Sequence, residues 1–235
     1  MSNTKENVRK FWIFGYDARV MTRFDWYLAR NHKLGVQNLD KRSTAFLELK
    51  AAMGHPYPED IVLPDDFPPV QLALPEKGFS PDYFGYGSDN FCSRRLRDAM
   101  NLPDGMVQFM PIELVSGGAQ VLAQDYQLMR VVAHQPVLDM ERSVYEPIDD
   151  RRAQGNHPPR PMWFERFVLL ETLQSVAEIF RADEIYVKVF VTDALAERVL
   201  QAGCTGMEFY DPTLPQHGDR LRRYRTATGI GERWI

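Results

Sequence analysis

Five histidines, two cysteines and two aspartate pairs are the residues of this 235-residue chain from which acid–base, nucleophilic or metal chemistry would start. Their spacing argues against each. His32, His55, His134, His157 and His217 stand in five unrelated contexts, none with a second ligand three or four residues away on a helix, so no metal centre is expected. Cys92 and Cys204 have neither metal nor redox spacing, and a Cys92 nucleophile would need a distant histidine that the sequence does not place. Free buried thiols are the expectation. Asp65-Asp66 and Asp149-Asp150 lie in Pro-rich stretches, where adjacent acids are more often solvated than catalytic. Gly117-Gly118 and Gly229-Ile230-Gly231 match no phosphate-cradling pattern, no GxSxG elbow is present, and no cofactor is expected.

The elements that would hold any site are clearest between Asp183 and Pro212. Ile185–Val191 is β-branched and aromatic, as a buried strand requires. Thr192 then offers a helix N-cap, Asp193 puts a carboxylate at the positive end, and Leu195, Val199 and Ala202 follow at helical spacing until Gly203. Met207–Tyr210 gives a second strand. Residues 91–109 repeat this order, with Ser93 answering Thr192, Leu96 answering Leu195, Gly105-Met106 answering Gly206-Met207 and Phe109 answering Phe209. The chain uses a strand-helix-strand unit twice, at 91–109 and 185–210.

Elsewhere, strands are expected at 11–16, 107–112 and 126–133, and a short helix at 46–53 before Gly54. Asp17–Asn31 reads as a helical stripe or an aromatic loop. Pro56–Pro81 holds too many prolines for a helix or a central strand, yet Ile61, Val62, Leu63, Val70, Leu72 and Leu74 bind it to the body as a connector. Phe164–Phe180 favours a helix, although its first residues also suit a strand. Asp139 and Arg181, flanked by apolar residues, are expected to be structural and to pair with each other. Together these give one α+β domain over 1–235 with a mixed sheet, an N-terminal elaboration over 1–80 and a tail over 212–235.

Composition is that of an ordinary globular protein, with 44% hydrophobic and 26% charged residues. The FWIFGY run is too short for a signal-peptide core or a membrane span, so a cytoplasmic protein without a membrane partner is expected. Net charge is −4, but His217–Ile235 has five arginines against two acids, +3, which leaves −7 on residues 1–216. With no recognition motif, that basic end does not point to nucleic acid.

Four pieces stand out: Phe91-Cys92-Ser93-x-x-Leu96-Arg97, Val107–Leu114, Leu138-Asp139-Met140-Glu141-Arg142-Ser143, and Ile179-Phe180-Arg181 running on to Gly206-Met207-Glu208-Phe209. In this order they resemble the eleventh immunity-protein family of bacterial polymorphic toxin systems. The family's usual Val before the Ser is Cys92 here. The likeness covers roughly residues 80–211 and carries no catalytic signature. It implies a cytoplasmic protein that binds and neutralises a cognate toxin, and it implies no reaction. The rival readings are a small enzyme whose site gathers Arg181, Glu208 and Asp139, and an adaptor domain. For a partner surface the sequence offers Arg151, Arg152, Arg160 and Trp163 as anchors on the loop Pro147–Trp163. It also offers Asp60, Asp65 and Asp66 as an acidic steering surface for a basic toxin.

Overall fold

The computed structural model describes residues 11–17, 39–53, 61–68, 70–73, 81–86, 89–115, 126–145, 164–171, 177–213, 221–226 and 229–234. They open with β1 (Phe11–Tyr16), α1 (Leu39–Met53) and β2 (Val70–Ala73). A hairpin of β3 (Tyr83–Tyr86) and β4 (Asp89–Ser93) feeds α2 (Arg94–Met100) and β5 (Val107–Val115), followed by β6 (Tyr126–Val131) and the short β7 (His134–Gln135). β8 (Val144–Tyr145) pairs with β9 (Phe164–Arg166). A second hairpin, β10 (Ile179–Ala182) and β11 (Ile185–Thr192), feeds α3 (Asp193–Gln201) and β12 (Met207–Tyr210). β13 (Leu221–Thr226) and β14 (Gly229–Trp234) complete the series.

The fold is α+β with mixed sheets. One sheet has the order β14-β13-β12-β1-β11-β10-β7, another the order β2-β5-β6-β4-β3. In the second, β4 and β5 both run antiparallel to β6, which stands between them. In the first, β11 and β12 both run antiparallel to β1, which stands between them. Each expected strand-helix-strand unit is therefore two parallel strands joined by a helix and separated by one inserted antiparallel strand, with a hairpin partner in front. The topology occurs twice.

Both helices start as their caps dictate. Ser93 and Thr192 have extended backbone, and their hydroxyls accept from the amides of Leu96 at 3.1 Å and Leu195 at 3.3 Å. Those first-turn donors have no partner inside the helix. Asp193 stands in the first turn of α3 and accepts from Trp12 Nε1 at 2.7 Å, which ties β1 to that helix.

The apolar faces of both units meet in one cluster. Trp12, Phe14, Val189, Val191 and Phe209 enter from the first sheet, Cys92, Met129 and Val131 from the second, and Leu96, Met100, Leu195 and Val199 from the helices. Phe14 and Tyr83 bridge the sheets with ring centroids 4.4 Å apart. At about 1.5–3 kcal/mol for each large side chain buried, this cluster outweighs any single polar link.

A second cluster covers the other face of the five-stranded sheet, where Phe46 and Leu49 of α1 and Ile61, Leu63 and Phe67 meet Phe84, Phe91 and Leu128. A third lies on the other face of the seven-stranded sheet, where Val137, Leu138, Phe164 and Phe167 meet Phe11, Phe180 and Phe190.

Several expectations are corrected. Residues 164–166 and 179–182 are strands, not parts of one helix. Phe164 and Phe167, three apart, do face the same way, but they stack on each other at 4.8 Å and turn into the third cluster. The helix expected from residue 46 begins at Leu39. β6 stops at Val131, since the amides of Val132 and Ala133 turn to the carbonyl of Met106. The C-terminal tail is instead a β13–β14 hairpin added to the first sheet through Phe209↔Arg223 and Tyr210↔Arg222. The described part of the connector lies against the body as expected, with Ile61 and Leu63 buried and Val70–Ala73 forming β2 beside β5. Asp17 is described, whereas 18–31 lie outside the described residues.

Candidate partner-binding surfaces

The polar residues placed nearest the core prove to be joints. Asp82, absent from the sequence candidates, is the most densely bonded of them. Its Oδ1 accepts from Ser93 Oγ at 2.6 Å and Arg95 Nε at 2.9 Å, and its Oδ2 from Arg95 Nη2 and from the amide and hydroxyl of Thr205 at 2.8 and 3.2 Å. Burial opposes its ionisation, but the bonds from Arg95, Ser93 and Thr205 outweigh burial and hold the carboxyl below its usual range. Ser93 is committed as well, donating to Asp82 and accepting from Leu96. A carboxyl held below its usual range is a weaker base than an ordinary aspartate. Asp82 and Ser93 fasten the cap of α2 to the turn between α3 and β12, beside Gly206. That glycine has φ 90°, and a Cβ there would fall 2.2 Å from the carbonyl oxygen of Tyr83.

Asp139 and Arg181 are structural but do not pair. The Asp139 carboxylate accepts from the amides of Glu141 and Arg142, both at 3.1 Å. Its amide donates to the Val168 carbonyl at 2.8 Å, and Ser143 Oγ accepts from the amide of Val168 at 3.0 Å. The Leu-Asp-x-x-x-Ser pattern thus fixes a turn onto the segment that follows β9. Arg181 is buried and donates through Nε to the carbonyl of Val131 at 3.0 Å, joining the two sheets. Glu208 does not join them. Arg181 shares a cross-strand row with Val189, Phe14 and Phe209, whereas Glu208 alternates to the other face with Tyr210, whose hydroxyl donates to it at 3.2 Å. The site imagined for an enzyme is therefore not assembled from these three.

Cys92 and Cys204 are free and buried, and burial pushes the Cys92 thiol up to about 12. His134 Nδ1 lies 3.6 Å from Asp183. Among the described residues no three His, Cys, Asp or Glu side chains are grouped to hold a metal ion, and no helix is long and apolar enough to cross a membrane.

Of the residues named from the sequence for a partner, Asp65 and Asp66 are among the described ones. Both are exposed on a turn closed by the amide of Phe67 donating to the carbonyl of Pro64 at 3.0 Å. Asp60 lies outside the described residues, as do Arg151, Arg152, Arg160 and Trp163. The ends of the segment holding those four are paired in the β8–β9 ladder, where Val144 and Tyr145 are exposed and Tyr145 leans on Phe164 at 5.4 Å.

The immunity protein family (Imm11) matches this chain over residues 30–213, well over half its length. The chain belongs to that family. The match reaches back past residue 80 to include α1 and β2, which the motifs alone did not touch. No curated protein matches the chain. Membership suggests a toxin-immunity role, a toxin as partner and a non-enzymatic mode of action.

Proposed function

We propose that this protein is a cytoplasmic immunity protein that binds a cognate toxin or effector in a stoichiometric complex, catalyses no reaction, and so protects the producing cell or its siblings. The family match carries the reading. It is supported by the buried Asp82 and Arg181, which are engaged across the two units through Thr205 and Val131. The docking elements proposed for the complex are the anchors Arg151, Arg152, Arg160 and Trp163 and the acidic residues Asp60, Asp65 and Asp66. Co-expression with the toxin domain encoded beside the gene is expected to restore growth, and the two chains to co-purify at one to one. Growth arrest despite co-expression, with no complex and a small molecule raising the melting temperature, would transfer the protein to the enzyme class.

A further inference from the structure

Residues 61–68 lie on the outer face of the five-stranded sheet, held to β5 and β6 by the side chains of Gln108 and Arg130. The carbonyl of Ile61 accepts from Arg130 at 3.0 Å, the amide of Leu63 donates to Gln108 at 2.9 Å, and Phe67 is buried beyond them. At the Pro64–Phe67 turn this cover ends. A groove of about 300 Å³ opens there, with Met110 and Leu128 for a floor, Pro68 and Pro111 along its sides, and Asp65 and Asp66 at its rim. Met110 and Leu128 are cross-strand partners, so the floor belongs to a paired ladder and needs no rearrangement to form. The two prolines limit how far its sides can move.

Neither rim carboxylate has a hydrogen bond or ion pair with another side chain among the described residues. That selects the occupant. A wholly apolar plug would strip water from two carboxylates and give nothing back. A small metal ion would find two carboxylates where a hard cation takes six or more oxygens. A long cationic side chain satisfies both parts, because its methylenes lie on apolar surface while its charged end reaches the rim. We propose that this groove takes one lysine or arginine side chain of the toxin, its stem on Met110 and Leu128 and its cation between Asp65 and Asp66. The proposal rests on the toxin-binding reading and gives that reading an address.

Two arms test it. In the first, the neighbouring gene's toxin domain, inactivated in its own active site, is bound to wild type, to Asp65→Asn/Asp66→Asn and to Asp65→Lys/Asp66→Lys. A control, Asp98→Lys/Glu197→Lys, changes exposed acids on the helices. Affinity is expected to fall about tenfold or more in the Asn pair, further in the Lys pair, and about threefold at most in the control. All four proteins should melt together, because the substituted positions are exposed. In the second arm, a capped arginine, Nα-acetyl-arginine methylamide, is titrated into isotope-labelled protein without toxin. Amide signals at Asp66, Phe67, Met110 and Leu128 are expected to move, and to stay still for capped glutamate. Toxin binding within twofold of wild type in the Asn pair would overturn the groove while leaving the immunity role standing. Capped arginine that moves the groove signals in a protein that binds and protects against no toxin would retain the cation groove and overturn the immunity role.

Discussion

Removing the Asp82 carboxylate separates the stability of the duplicated core from the rest of the chain. In Asp82→Ala five acceptor contacts disappear, but they are not equal. Arg95 has 55% of its side chain exposed and turns back to water, so its share is small. The amide of Thr205 and the hydroxyl of Ser93 bond the buried Asp82 in partly buried positions, where a hydrogen bond to a charged group is worth about 1.5–3 kcal/mol. The expected loss is about 2–4 kcal/mol for Ala. Asn, which keeps an acceptor for Thr205 and loses only the charge, should lose about 1–2 kcal/mol. The pH dependence has a definite sign. The folded carboxyl titrates below the 3.8 of an unperturbed aspartate. Its stabilisation is therefore complete above the unfolded value and is lost as pH falls through the folded one. Urea unfolding near neutral pH and at a series of pH values falling below 3.8, compared between wild type and Asp82→Asn, should show a gap that narrows on acidification. An Ala variant that loses less than about 1 kcal/mol, or a gap of the same size in acid, would refute the claim that Asp82 joins the units as an ionised acceptor.

Other substitutions probe the same joints. Gly206→Ala at φ 90° puts a Cβ 2.2 Å from the Tyr83 oxygen and 2.7 Å from Pro81, whereas Gly105→Ala at φ 85° meets nothing within 4 Å. Thermal unfolding should show about 1–2 kcal/mol lost at Gly105 from the backbone alone, and at Gly206 a much larger loss or no folded protein. Arg198→Met removes donors to the carbonyls of Ala99 and Met100 at the end of α2 and the ion pair with Glu178 at 2.9 Å. About 1–2 kcal/mol should go with it by denaturant titration, against less than about 1 kcal/mol for Glu178→Gln. With its thiol pushed up to about 12, Cys92 should ignore a thiol-specific disulfide reagent near pH 8 in the native protein and react at once in denaturant.

What could be read from the sequence was whatever has a local cause. Ser93 and Thr192 mark helix starts because a cap acts within three residues, and β11 shows because its side chains must suit a pleated, buried surface. The recurrence of the strand-helix-strand unit is legible for the same reason. Long-range causes were not visible. Asp82 sits in an unremarkable Ser-Pro-Asp stretch, and its partner Thr205 is more than a hundred residues away. Phe164–Phe180 reads as helical because Phe164 and Phe167, three apart, both turn inward, and that inward turn depends on long-range partners such as Phe190. The Arg-rich C-terminus read as a tail because its strand character depends on pairing with β12, which its own composition does not record. At the surface, Asp65 and Asp66 were noticed, but the groove beside them is made by β5 and β6 and has no sequence signature.

The duplicated unit also bears on where recognition can occur. Both copies turn the faces they share toward one cluster, and the links between them, Asp82 to Thr205 and Arg198 to the end of α2, lie along that contact. Those surfaces are unavailable to a partner unless the core opens, at the cost of burying nothing in exchange for the aromatic residues exposed. The outer faces differ from each other, since α1 with residues 61–68 covers one sheet and residues 137–138 with 164–169 cover the other. These coverings have no counterpart in the repeat. The acid-rimmed groove lies in the first covering, and the segment with Arg151, Arg152, Arg160 and Trp163 springs from the second. Salt separates their contributions. Binding led by Asp65 and Asp66 should slow markedly as ionic strength rises, whereas binding anchored by Trp163 should depend weakly on salt and collapse in Trp163→Ala. If Trp163→Ala binds the toxin as wild type does while Asp65→Lys/Asp66→Lys does not, the second covering is excluded as the docking face.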